Sequence, residues 1–190
     1  MPSASEPALS VSNKIREREY GEGCRIYDLR KGRSAGREWK ASVFFALALL
    51  MLFILMRSGF DVSSNPLSPL ILAACVFMCI FYIIILPAAA EKKGRATFRK
   101  SSLLCMEYEI KIFRDRLEMK SKNEYLKRYY TEITDCIETN DIFVLIGGIE
   151  KNLLVISKNG LQEDEKDQLS RIFRKEMIRQ YRKTKKGEKK

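Results

Sequence analysis

Carboxylates, lysines, tyrosines and five cysteines are the side chains of this chain that could carry chemistry, because its 190 residues include no histidine. Without imidazole there is no Ser-His-Asp or Cys-His activation of a nucleophile, no histidine metal or haem ligand, and no histidine base near neutral pH. The cysteines stand at positions 24, 75, 79, 105 and 136. An odd number without a CxxC pair argues against a disulfide framework and a zinc site alike. Cys75 and Cys79 fall four apart in an apolar run and read as packing residues. Glu107 and Glu109 alternate along the wet face of a predicted strand, and Glu163, Asp164, Glu165 and Asp167 crowd a predicted helix start, so both groups read as solvated. Gly147-Gly148 is followed by neither a GK[ST] sequence nor a helix, and reads as a hairpin rather than a phosphate loop. No catalytic residue, metal site or cofactor is expected from this set, and the chain reads as a non-enzyme.

The elements that position these residues begin with two apolar runs. Residues 41 to 57 open with sixteen uncharged residues, ASVFFALALLMLFILM, between Lys40 and Arg57 and behind Trp39. Residues 68 to 90 form the second run, whose continuous apolar part is LILAACVFMCIFYIIIL. A sixteen-residue helix rises about 24 Å, short of a hydrocarbon core roughly 30 Å thick, and snorkelling by Lys40 and Arg57 closes the deficit. Neither run has a polar stripe, which disfavours a helix covering a soluble core. The competing arrangement is a buried helical hairpin inside a soluble domain. Ser42 and Ala46 on one run, and Cys75 and Cys79 on the other, offer close-packing faces.

The link RSGFDVSSNPLSP carries one basic residue, whereas Arg25, Arg30, Lys31, Arg33, Arg37 and Lys40 precede the first run and Lys92, Lys93, Arg95, Arg99 and Lys100 follow the second. This positive-inside asymmetry places both termini in the cytoplasm. The apolar segments hold no ionisable residue of the kind that marks ion or proton pathways. Before the membrane, residues 1 to 12 are small and polar and are expected to be disordered. Residues 13 to 40 read as a juxtamembrane connector in which Ile15 to Tyr20 could form a short strand.

Past the membrane the apolar period changes to two, the mark of half-buried strands. Met106, Tyr108, Ile110 and Ile112 alternate with Glu107, Glu109, Lys111 and Phe113, which marks one buried and one mostly wet face, and Leu117 and Met119 continue the pattern against Arg116, Glu118 and Lys120. Four more β-like runs follow at 125–130, 134–139, 142–146 and 153–157, separated by turn residues such as Asn140-Asp141 and Gly147-Gly148. Six short, evenly spaced strands predict an antiparallel meander. The chain then turns helical, with Leu161, Leu169, Ile172, Phe173 and Met177 on one face, acids at the start and Arg179, Arg182 and Lys183 at the end, as the helix dipole favours. A curved sheet capped by a C-terminal helix is the pleckstrin-homology-like plan. That plan needs seven strands, and Ile15 to Tyr20 is the candidate for the seventh.

Residues 128 to 173, RYYTEITDCIETNDIFVLIGGIEKNLLVISKNGLQEDEKDQLSRIF, resemble the C-terminal domain of the YcxB-like bacterial membrane proteins. The resemblance rests on Tyr130-Thr131-Glu132-Ile133, on the turn Glu138-Thr139-Asn140-Asp141, and on the strand end Ile156-Ser157-Lys158. Tyr130 stands where a tryptophan is usual and Ser157 where a proline is usual. With the two preceding apolar helices, the likeness spans roughly residues 40 to 180. It implies a membrane-anchored pleckstrin-homology-like domain and brings no activity or site residues with it.

The formal charge of +11 divides as +3 over residues 1–40, zero over 41–90, +4 over 91–100, −4 over 101–170 and +8 over 171–190. An acidic β domain thus lies between a basic membrane boundary and a basic tail. Each basic side chain beside an anionic leaflet contributes about 1 kcal/mol. Lys40, Arg57, Lys92, Lys93, Arg95, Arg99 and Lys100 are the candidate membrane-surface contacts. Arg179, Arg182, Lys183, Lys185 and Lys186 form a candidate anionic-lipid tail, whose competing role is to keep the chain soluble. No nucleic-acid motif accompanies it.

The expected protein is therefore an α+β multi-pass protein of the bacterial inner membrane. A two-helix transmembrane hairpin (41–57 and 68–90) is followed by a cytoplasmic antiparallel pleckstrin-homology-like β domain with a C-terminal capping helix (91–183) and a tail (184–190). Its partners are the lipid bilayer, its anionic lipids and a protein not identified by sequence. Its role is that of a binding or scaffolding module, the alternative being an accessory subunit of a membrane transporter or other multispan complex.

Overall fold

The alternation between residues 107 and 157 becomes six antiparallel strands, and the apolar runs become two long helices, in a computed structural model that describes residues 6–30, 33–57, 67–101, 104–122, 124–148 and 152–184. The chain divides into two units, residues 1–27 with 93–190, and residues 28–92. The second is thus an insertion into the first. The link predicted between the apolar runs lies largely outside the described residues.

In the β unit, β1 (Leu9–Lys14) is followed by α1 (Glu17–Arg30), which runs on into the inserted unit. After the insertion come β2 (Glu107–Ile112), β3 (Arg116–Lys120), β4 (Tyr125–Tyr129), β5 (Ile133–Glu138), β6 (Ile142–Gly147) and β7 (Asn152–Ser157). A helix, Glu163–Glu176, and a short strand, Tyr181–Lys183, complete it. The strands form two four-stranded sheets, β1-β2-β3-β4 and β7-β6-β5 with Tyr181–Lys183 on the outer side of β5. All pairs are antiparallel except that last one, which is parallel.

Four expectations about the N-terminal segment and the C-terminal helix are corrected. The segment 1–12 is not disordered throughout, because residues 9–12 belong to β1 and pair with β2 in the register Leu9↔Ile112 to Lys14↔Glu107. The extra strand is therefore Leu9–Lys14, not Ile15–Tyr20. The connector assigned to 13–40 begins inside the β unit, since α1 is a helix with Glu17 and Glu19 in its first turn, where the dipole favours acids. Glu19 also accepts the Arg16 N–H at 2.8 Å. Finally, the C-terminal helix stops at Glu176, so Arg179 lies in the turn beyond it and Arg182 and Lys183 lie in a strand.

One core fills the space between the sheets. Ile110, Ile112 and Leu117 from the first sheet and Cys136, Phe143, Leu145 and Ile156 from the second are fully buried there, with Leu169, Phe173 and Met177 closing it. Each such apolar side chain contributes about 1.5–3 kcal/mol on burial. The C-terminal helix starts at a capping box, in which the Gln162 N–H donates to Glu165 at 2.8 Å. A second cluster covers the outer face of the β5–β7 sheet, where Ile142, Val144, Ile146 and Val155 meet Ile15, Tyr20, Ile26 and Phe98. Gly23 allows this approach: a Cβ there would lie 2.5 Å from Val155 Cγ2. At Gly147, which has φ 150°, a Cβ would collide with the Glu132 carbonyl oxygen.

The inserted unit contains α2 (Arg33–Arg57) and α3 (Leu67–Ile80), the latter continued through a π-helical turn, Phe81–Ile85, into α4 (Leu86–Lys100). Trp39–Arg57 and Leu67–Lys100 are long and apolar enough to cross a membrane. The seam between α2 and α3 is not the one expected on α2, because Ser42 and Ala46 are exposed. Ala41, Ala48 and Leu55 are buried instead, seven residues apart, as are Ser68 and Cys75 on α3. That spacing is the left-handed helix-packing repeat. Cys79 completes the seam by donating to the Ala41 carbonyl at 3.6 Å.

Candidate functional site

The turn Glu138-Thr139-Asn140-Asp141 and the strand end at Lys158, noted above for their resemblance, converge at one place. Glu138 is 1% exposed at the end of β5. Lys158 Nζ donates to its Oε1 at 2.8 Å and to the Thr139 carbonyl at 2.7 Å, and lies 4.4 Å from the centre of the Phe143 ring. The Lys158 backbone N–H donates to the Asp141 carbonyl at 2.9 Å. Lys183 Nζ reaches the same Oε1 at 3.1 Å, and the Tyr181 hydroxyl donates to Oε2.

Burial alone would push the Glu138 carboxyl upward, but hydrogen bonds from Lys158, Tyr181 and Lys183 outweigh it and hold the group below its ordinary value. A carboxylate so saturated is neither a base nor a nucleophile. It is an ion-pair clamp that joins the β5–β6 turn, the end of β7 and the final strand.

At the other end of the strands, where β1 ends, β2 begins and β3 turns into β4, lies an apolar cleft of about 500 Å³. Tyr20, Tyr108, Met119, Leu126 and Leu154 line it, with Glu124 as its one carboxylate among the described residues. The Tyr108 hydroxyl donates to Glu124 Oε2 at 3.3 Å. Burial, reinforced by the Glu124 charge, raises the Tyr108 pKa, so the phenol stays protonated. Such a cleft can take an apolar body and accept one hydrogen bond from it. Among the described residues it offers no pair of carboxylates.

Of the sequence-predicted contacts, Lys40 and Arg57 are exposed on α2, and Lys92, Lys93, Arg99 and Lys100 are exposed on α4, with Arg95 half-buried. Arg99 is paired with Glu17 at 2.8 Å. Arg179 and Arg182 are exposed, Lys183 is tied to Glu138, and Lys185 and Lys186 lie outside the described residues. The structure thus separates Lys183 from the tail of which it was expected to be part. Cleft residues Tyr108 and Glu124 carried no signal beyond strand alternation, since only folding brings them together.

Among the described residues no group of three or more carboxylate or thiol side chains could hold a metal ion. Burial raises the pKa of the Cys24 and Cys136 thiols, which makes them inert packing groups. Neither a protein-family model nor a curated protein matches this chain.

Proposed function

We propose that the chain is a two-span membrane protein whose hairpin is inserted into a pleckstrin-homology-like domain at the cytoplasmic face, and that it works as a non-catalytic binding or scaffolding module. The observation that carries this is the register between β1 and β2. Residues 9–14 and 107–112 are partners in one sheet although the whole apolar insertion separates them. A chain that leaves a folded domain and returns to the neighbouring strand must cross a bilayer an even number of times. Two spans with both ends on one side satisfy that condition, and the basic flanks make that side the cytoplasm.

Exposure supports the membrane over a soluble helical hairpin. Only 17% and 6% of the most apolar windows of the two helices are buried, and Phe45, Phe53, Leu70 and Ile83 stand open. Patches of that size on a soluble monomer are rare. Four antiparallel strands, then three, then a helix match the pleckstrin-homology-like plan, with the membrane hairpin replacing the first hairpin loop. The convergence of Glu138, Thr139 and Lys158 is what would keep those positions in a YcxB-like family. The module reading rests on the apolar cleft.

Reporter fusions at Asn65 and at Lys190 test the topology. Opposite compartments are expected, and a common compartment would overturn the hairpin. Purification in mild detergent tests the role: a lone chain is expected, whereas a stoichiometric multispan partner would make this protein an accessory subunit.

A further inference from the structure

The strand formed by residues 181–183 builds a second recess, away from the apolar cleft. One ridge of the C-terminal helix carries Asp167, Ser170, Arg171 and Arg174, spaced three, four and seven residues from the first, so all four face one way. With Tyr181 and Lys183 they line a recess of about 210 Å³. That is space for roughly seven waters, at about 30 Å³ each.

Three observations make this more than a basic surface. Arg171 and Arg174 are exposed and have no carboxylate partner among the described residues, so their guanidinium forks are free for a ligand. Arg174 also lies over the Tyr181 ring, 5.7 Å from its centre, which restricts where it points. The opposite wall is fixed from below, because the buried Glu138 carboxylate holds both the Lys183 ammonium and the Tyr181 hydroxyl. Burying a carboxylate is costly, and an apolar replacement is often as stable. Orienting two recess side chains is a use for Glu138 that an apolar residue could not fill.

We propose that this recess binds a phosphate group carrying a neighbouring hydroxyl or ammonium donor. The forks of Arg171 and Arg174 suit the paired oxygens of phosphate, and Lys183 adds a point charge. Asp167, the one carboxylate lining the recess among the described residues, accepts the neighbouring donor and selects against bare inorganic phosphate. The chemistry is shared by a free phosphate ester such as sn-glycerol 3-phosphate and by the headgroup of an anionic phospholipid. The recess lies within the β unit, so the proposal stands apart from the membrane topology.

The test uses the full chain in neutral phosphatidylcholine nanodiscs, titrated calorimetrically with inorganic phosphate and with sn-glycerol 3-phosphate, and mixed with phosphatidylglycerol or phosphatidylcholine vesicles in a flotation assay. Binding to the ester or to phosphatidylglycerol is expected to exceed that to inorganic phosphate or phosphatidylcholine, and to weaken about tenfold or more in Arg171→Gln/Arg174→Gln. Lys183→Met should weaken it too, and Arg171→Gln/Arg174→Gln replaces exposed side chains alone, so its circular dichroism should match the parent. Loss on the vesicle arm identifies a lipid headgroup, and loss on the ester arm a soluble ligand. No saturable binding to either, or equal binding by the double variant, overturns the proposal.

Discussion

The two sheets of the β unit are built from strands of similar length, yet they are buried differently. In the β1–β4 sheet the first three strands turn every second residue toward water, as in Glu107, Glu109 and Lys120, and β4 is exposed at all but Arg128. In the other sheet all six residues of β6 are buried. Its inner face meets the first sheet and the C-terminal helix, and its outer face meets α1 and Phe98 at the end of α4. Those are the two helices through which the chain leaves for the inserted unit and comes back. The difference teaches where the domain is specialised: the first sheet is an ordinary half-wet sheet, whereas the second has given up its solvent face to packed helices.

The strongest way to break this contrast is at the clamp, which only the second sheet possesses. Lys158→Met leaves Glu138 without its main partner and should cost about 3–5 kcal/mol in denaturant unfolding of the full chain. Its pH dependence has a definite sign. Because the folded Glu138 titrates below its ordinary value of 4.5, the stability it contributes is complete above that value and drains as pH falls through the lowered one. The gap between the parent and Lys158→Met should therefore narrow on acidification below about pH 4.5. A gap independent of pH would mean that Glu138 is not linked to folding through Lys158.

Paired substitutions on the faces sharpen the comparison next. Ile142→Ala on the outer face of the second sheet and Leu145→Ala on its inner face should each cost about 2–5 kcal/mol, since both are fully buried. In the first sheet only the inner face should respond. Ile110→Ala should cost as much, and Lys111→Ala, on the outer face, should stay within about 0.5 kcal/mol. Gly23→Leu then probes the covering helix alone. Its side chain must displace Val155, at about 1–3 kcal/mol, and amide exchange should lose protection in α1 while β2 and β3 keep theirs.

The same contrast decides what was legible in the sequence. The half-wet strands announce themselves by alternation, which places Tyr108, Ile110, Ile112, Leu117 and Met119 inside as the structure does, but fails at Phe113, whose ring is buried past the end of β2. The uninterrupted run Ile142 to Ile146 signals burial on both faces, and what it lacked was any local clue to the covering partner. That partner, α1, carries Gly21 and Gly23, each costing roughly 1 kcal/mol in a helix, so its helicity comes from packing that local propensity does not show.

Strand β1 was placed six residues late for a similar reason. LSVSNK has few apolar residues, and its partner lies about a hundred residues away across the insertion. Of the candidate site, Glu138 and Lys158 could be picked out by motif, but their meeting needed the fold. The recess was hidden because Arg171 and Arg174 read as one wet face of a helix, and Lys183 as tail.

A smaller loss than those in the buried core falls on the seam between the two sheets. β1 and β7 are neighbours at the edges of different sheets, and Asn13 bridges them although it is only 2% exposed. Its side-chain amide donates to the Ser157 carbonyl at 2.7 Å and its Oδ1 accepts the Ser157 N–H at 3.3 Å. The side chain thus supplies both halves of a strand pairing that the backbones do not make. Asn13→Ala should leave the Ser157 backbone groups unsatisfied and cost about 1–2 kcal/mol. Asn13→Asp keeps the acceptor and loses the donor, and should be no better. The informative readout is exchange at the Ser157 amide. If that amide keeps its protection in Asn13→Ala, the sheets are held together by their shared core alone, and the Asn13 bridge follows the closure of the sandwich without helping to hold it.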